Sequence, residues 1–131
     1  MAGHQALAFL LIFLGGGIGS VLRYGVNLSS ASLFGPSFPW GTLLVNILGS
    51  VAMGLLAGWL AFRLEGGQLF RQFLATGVLG GFTTFSAFSL DVALLWQSGQ
   101  TAAAVLYALG SVAAAILGVF AGLAITRVVL P

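Results

Sequence analysis

The sequence predicts an all-α membrane protein built from four transmembrane helices. Three observations carry that expectation. Of 131 residues, 60% are hydrophobic and only 5% are charged, where an average soluble domain carries roughly 25%. The six charges are Arg23, Arg63, Glu65, Arg71, Asp91 and Arg127. They leave uncharged stretches at 1–22, 24–62, 72–90 and 92–126. A membrane-spanning helix takes roughly 20 mostly apolar residues, so four spans of about 25 would leave about 30 residues for turns and ends. Third, the apolar runs are continuous. Outer-membrane strands would instead alternate polar and apolar over roughly ten residues.

This inventory excludes ordinary soluble enzymes, disordered chains and nucleic-acid binders. The pI near 10.0 reflects four arginines against two acids, not a patch that grips phosphates. There is no cysteine, which removes disulfides, thiolate metal sites and cysteine catalysis. The single histidine, His4, reads as an end residue. The first apolar run lacks the basic region that would mark a cleaved signal peptide.

The chain reads as one domain with spans near 6–28, 39–62, 70–96 and 101–129. The first span is glycine-rich at Gly15, Gly16, Gly17 and Gly19, and a loop from Ser29 to Pro39 follows. Trp40 opens the second span as an interfacial anchor. Arg63, Glu65, Gly66 and Gly67 form the next turn. Gln97–Gln100, with Gly99, forms the last, and Arg127 marks the exit of the fourth span. Four spans put both termini on one side with Arg63, Arg71 and Arg127, against Arg23 alone. That bias, three to one, only mildly favours termini in the cytoplasm. A chain so weakly marked is able to insert both ways and form an antiparallel, closed two-fold dimer.

Gly15–Gly19, Gly54–Gly58, Gly77–Gly81 and Gly118–Gly122 are GxxxG pairs, a spacing that lets backbones approach closely in lipid. They imply a compact bundle and an oligomer. No GxGxxG or P-loop supports nucleotide binding.

Polar groups inside spans are expensive and so are functional candidates. The densest run is Gly80-Gly81-Phe82-Thr83-Thr84-Phe85-Ser86-Ala87-Phe88-Ser89, in the middle of the third span. It is consistent with a continuous helix with back-bonded hydroxyls. It is equally consistent with a broken helix, tolerated where the freed backbone groups are buried or line a cavity. Carbonyls at such a break coordinate a cation, and N–H groups favour an anion. Thr42, Asn46 and Ser50 share one face of the second span at i, i+4, i+8. Asn46 is either interhelical glue or a supplier of donors. Tyr107 and Ser111 repeat that spacing on the fourth span. Phe85 and Phe88 are either packing residues or rings whose electropositive edges face a small anion. Asp91 is the only acid within a span, whereas proton-coupled pumps usually rely on in-span Asp, Glu or His. The track therefore reads as a passive pore, and its neutral donors suit an anion.

Three stretches carry a family resemblance. Gly16-Gly17-Ile18-Gly19-Ser20-Val21-Leu22-Arg23-Tyr24, Trp40-Gly41-Thr42-Leu43-Leu44-Val45-Asn46-Ile47-Leu48-Gly49 and Gly80 to Phe88 resemble the signature motifs of the Fluc (CrcB) fluoride channels. The resemblance covers nearly the whole chain, and the third motif is the most specific. It implies an antiparallel, dual-topology homodimer in the bacterial inner membrane. Two pores would pass fluoride passively out of the cytoplasm and confer fluoride resistance. It implies a central structural sodium ion held by the main-chain carbonyls of Gly80 and Thr83 from both subunits. It assigns Asn46, Phe85 and Phe88 to the pore. Thr42, Thr84, Ser86, Tyr107 and Ser111 join the polar track, and Arg23 falls near a vestibule. The implied partners are fluoride, sodium, a second copy and the lipid bilayer, with no enzymatic activity. Two departures stand out: Ala87 replaces a frequent Thr, and Asp91 a frequent Glu.

Two readings compete. A small multidrug-type exporter would also have four helices, but it needs a Glu in the first helix, and there is none. A non-transporting scaffold subunit leaves Asn46 and the Thr-Thr-Phe-Ser cluster without a purpose.

Overall fold

The computed structural model describes residues 2–62 and 67–130. The expected turn at Arg63, Glu65 and Gly66 lies outside the described residues. Helix α1 spans Ala2–Phe34 and α2 spans Trp40–Phe62. The third span, Gln68–Gln97, is assembled from pieces. These are α3 (Gln68–Arg71), a π-helical stretch (Gln72–Leu79), α4 (Gly80–Phe82) and α5 (Ser86–Gln97). Helix α6 spans Thr101–Val129. All four spans are long and apolar enough to cross a membrane.

The observed ends follow from local chemistry. Helix α1 continues past the expected end at Leu28, because Ser29 to Phe34 contain no breaker and Ser30 is buried. It stops at Gly35, where φ is +81°. The Gly35 N–H bonds the Ala31 carbonyl at 3.0 Å, a left-handed cap that suits glycine. The loop is therefore shorter than Ser29–Pro39. At the other hairpin Gly99 has φ +82°. Its N–H bonds Trp96 O at 3.1 Å, and the Gln100 N–H bonds Leu95 O at 3.0 Å, forming a Schellman cap.

The GxxxG pairs mate within the chain. Gly15 and Gly19 of α1 face the first half of the third span. A Cβ at Gly15 would sit 2.6 Å from Phe73 O and 3.1 Å from Gly77 Cα, and one at Gly19 would fall on Val78 O. Gly81 in turn lies against the Gly16 backbone. Gly54 of α2 meets Val119 and Gly122 of α6, and Gly122 meets Val51 and Gly54. Lipid offers no hydrophobic drive between helices, so close backbone packing of this kind supplies much of the association. The bundle thus consists of an α1–third-span pair and an α2–α6 pair. Helices α1 and α2 also touch, and α5 packs on α6.

The side-chain core is small. Phe88, Leu95, Ala104 and Tyr107 form it, with Phe38, Leu43, Val92, Ala103 and Ala108 around it. It joins α5 to α6 and sits directly beyond the interruption in the third span.

Candidate functional site

An α-helix bonds each N–H to the carbonyl four residues earlier. The third span departs from this over its π-helical stretch, where the Gly80 N–H bonds Ala75 O, and returns to it at Thr83, whose N–H and Oγ1 both bond Leu79 O, at 3.0 and 2.9 Å. Thr83 then turns extended, with φ −84° and ψ 161°. The Thr84 N–H, which would otherwise close onto Gly80 O, donates to Asn46 Oδ1 at 2.8 Å. Asn46 Nδ2 donates back to Thr84 O at 2.9 Å. One amide side chain thus satisfies both polar groups of one residue's backbone, and one Nδ2 proton remains over. Helix α5 then restarts. The Ala87 N–H donates to Thr84 Oγ1 at 3.1 Å, the role of an N-cap hydroxyl. Ser86 Oγ lies 3.4 Å from the same oxygen. Ser89 Oγ bonds Phe85 O at 2.9 Å.

These exchanges strip the carbonyls of Gly80 and Thr83 of their usual helical donors. Gly80 is exposed in the single chain. Thr83 O instead has Arg23 Nη1 at 3.4 Å. Arg23 thus lies within α1, half-buried at the depth of the interruption. Gly49 makes the approach of α2 possible, since a Cβ there would fall on the Thr83 methyl.

A cavity of about 300 Å³ opens against this region, lined by Asn46, Ser50, Thr83, Thr84, Phe85, Phe88 and Ser111, with apolar Met53 and Val112. Ser111 is buried, and its hydroxyl has no hydrogen-bond partner. Such a group normally finds one. The Phe85 and Phe88 rings stand 5.5 Å apart at 51°. Phe88 is 8% exposed and Phe85 75%.

Thr42 and Tyr107 lie elsewhere. A second cavity of about 720 Å³ adjoins the α1–α2 loop, with Asn27, Ser37, Thr42, Asp91, Ser98 and Gln100 in its walls. The Tyr107 hydroxyl donates to Asp91 Oδ2 at 3.1 Å. The Tyr107 ring packs on Phe88 at 5.3 Å and edge-on to Phe38 at 5.3 Å. The Phe88–Tyr107 contact therefore links the two polar regions. Ser86 is exposed beside the start of α5.

Of the predicted residues, Asn46, Thr84, Phe85, Phe88 and Ser111 share one cavity, with the Thr83 backbone beside them. Ser50 joins them, as its i+4 spacing from Asn46 implied. The Arg23–Thr83 contact and the π-helical stretch had no signal in the sequence. Among the described residues there is no cluster of three or more His, Cys, Asp or Glu. Backbone and side-chain oxygens are the cation-binding groups on offer.

Four apolar spans, with a cavity between the second, third and fourth that carries an amide and hydroxyls among largely apolar walls, define a multi-pass membrane protein. Residues 10–123 match the family described as "CrcB-like protein, Camphor Resistance (CrcB)", and the chain belongs to that family. It is 57% identical over 119 residues to a "Fluoride-specific ion channel FluC 2" of Nitrobacter hamburgensis, covering 91% of this chain and 96% of the relative. A "Fluoride-specific ion channel FluC" of Methylobacterium nodulans is 59% identical over 118 residues, covering 90% and 94%. One of Rhodopseudomonas palustris is 52% identical over 123 residues, covering 94% and 99%. These relatives carry the names of ion channels, not of enzymes.

Proposed function

We propose that this chain is a passive, selective fluoride channel of the bacterial inner membrane, working as an antiparallel, dual-topology homodimer with two pores. The observation that carries the reading is the unpartnered, buried Ser111 hydroxyl. It opens on the cavity walled by Asn46, Thr84, Phe85 and Phe88. Fluoride is small and strongly hydrated. A path for it must replace water with close donors, yet bind weakly enough to release. Hydroxyls, one remaining Asn46 proton and the electropositive edges of two rings match that demand. The names of the relatives support fluoride as the ion.

The homodimer is supported by exposure. Phe85 and Gly80 are open in the single chain, and a second copy would enclose them. The interruption between Phe82 and Ser86 supports a seat for the central structural sodium ion. Two carbonyls per chain, of Gly80 and Thr83, lack helical donors, and hard oxygen acceptors at unwound helices suit sodium. The ion would add a fixed positive charge near an anion path.

The test is efflux from liposomes loaded with fluoride. Rapid fluoride release is expected once a potassium ionophore relieves charge build-up, with chloride retained. Retention of fluoride, or equal release of chloride, would overturn the proposal.

A further inference from the structure

The contact between Arg23 and the Thr83 carbonyl has no role in the pathway described above. A carbonyl inside a span needs a donor or a cation, since no water replaces them in the bilayer core. Thr83 O has lost its helical donor, because the Ala87 N–H goes to Thr84 Oγ1. The group that reaches it is the Arg23 guanidinium, at 3.4 Å. This is the carbonyl that would also serve the cation.

We propose that Arg23 and the bound cation compete for the Thr83 carbonyl, so that Arg23 sets how tightly the dimer holds its ion. This rests on the reading of the interruption as a sodium seat. In a single chain the guanidinium occupies the freed carbonyl and lowers the penalty of leaving it unpaired. When two chains meet, a cation at the same oxygen brings a second positive charge close to Arg23. Like charges at such range repel strongly in a low-dielectric setting. The guanidinium must swing away or share the second lone pair. Either response weakens the ion. Arg23 is thus a positioning residue for the break before assembly and a brake on cation affinity after it. The gain is a chain that reaches the membrane with the Thr83 carbonyl already paired.

The experiment measures thermal unfolding of the purified dimer against sodium concentration, with N-methylglucamine holding ionic strength constant. Arg23→Gln keeps a neutral donor and removes the charge, and Arg23→Met removes both. Each is expected to lower the sodium concentration for half-maximal stabilisation by about tenfold. Arg23→Lys keeps the charge and is expected to stay within about threefold of the parent. If the parent responds to sodium but the neutral variants keep its midpoint or need more sodium, the competition is refuted and the sodium seat survives. If the parent itself shows no response to sodium, the seat is refuted and the competition with it.

Discussion

The two halves of the third span are held in opposite ways. The first half, from Gln68 to Phe82, is held by backbone: Gly15 and Gly19 of α1 admit the carbonyls of Phe73 and Val78 at van der Waals range. The second half, α5, is held by side chains, with Phe88 and Leu95 packed on Ala104 and Tyr107 of α6. The span changes partner between Phe82 and Ser86, and there its helical bonding lapses. Glycine contacts tolerate no added atom, whereas ring contacts tolerate small shifts. The interruption therefore has a rigid side and an adjustable side. Asn46, from a third helix, bridges them.

Five substitutions would break or sharpen that contrast. The largest effect is expected on the rigid side. Gly19→Val drives a Cβ into the Val78 carbonyl and the Phe82 amide and adds two methyl groups behind it, and should lower stability by about 3 kcal/mol. Thermal unfolding in detergent would register it, and an unaltered melting curve would refute the backbone packing. Next is Asn46→Ala, which strands both the Thr84 N–H and carbonyl at about 1–3 kcal/mol each. The net loss is expected at the low end of that sum, about 2 kcal/mol and below that of Gly19→Val, because the adjustable side can relax. Fluoride efflux should fall more than tenfold. Wild-type flux would show that Asn46 does not hold the break.

Third come Phe85→Ile and Phe88→Ile. Both should reduce efflux while leaving the dimer intact on size-exclusion chromatography. They should differ in stability: Phe88 is buried against Tyr107 and should lose about 1 kcal/mol, whereas Phe85 should lose less. Unaltered flux in both would make these rings packing residues. The smallest structural effect belongs to Ser111→Ala. Its hydroxyl has no partner to lose, so stability should change by no more than about 0.5 kcal/mol. Efflux should nonetheless drop severalfold, and unchanged efflux would remove Ser111 from the path.

Much of the site was legible because helical spacing is arithmetic. Asn46 and Ser50, four apart, line one cavity as expected. Thr42, four residues the other way, lies on the second cavity, since one helical turn moves a side chain about 5 Å along the axis. The sequence is compatible with Asn46 as glue or as donor. The structure shows the amide using its oxygen and one proton on the Thr84 backbone, so most of its capacity is structural. Sequence also left residues 80–89 as back-bonded helix or break. Thr83 and Ser89 back-bond, while the Thr84 backbone turns to Asn46. The resemblance implies a place near a vestibule for Arg23; its reach to Thr83 O depends on how far α4 slides along α1, which no local pattern encodes.

By itself the sequence determined the class: too few charges for water, four apolar stretches of the right length, and glycines where backbones must meet. Those are properties of composition and spacing, and solvent reads them residue by residue. Tertiary structure alone decided which GxxxG mates with which, and that the third span passes through a π-helical register before it lapses. It also decided that one asparagine closes the gap. Such choices depend on pairings between helices distant in sequence. The same glycine spacing satisfies several of those pairings equally well until the side chains around it are packed.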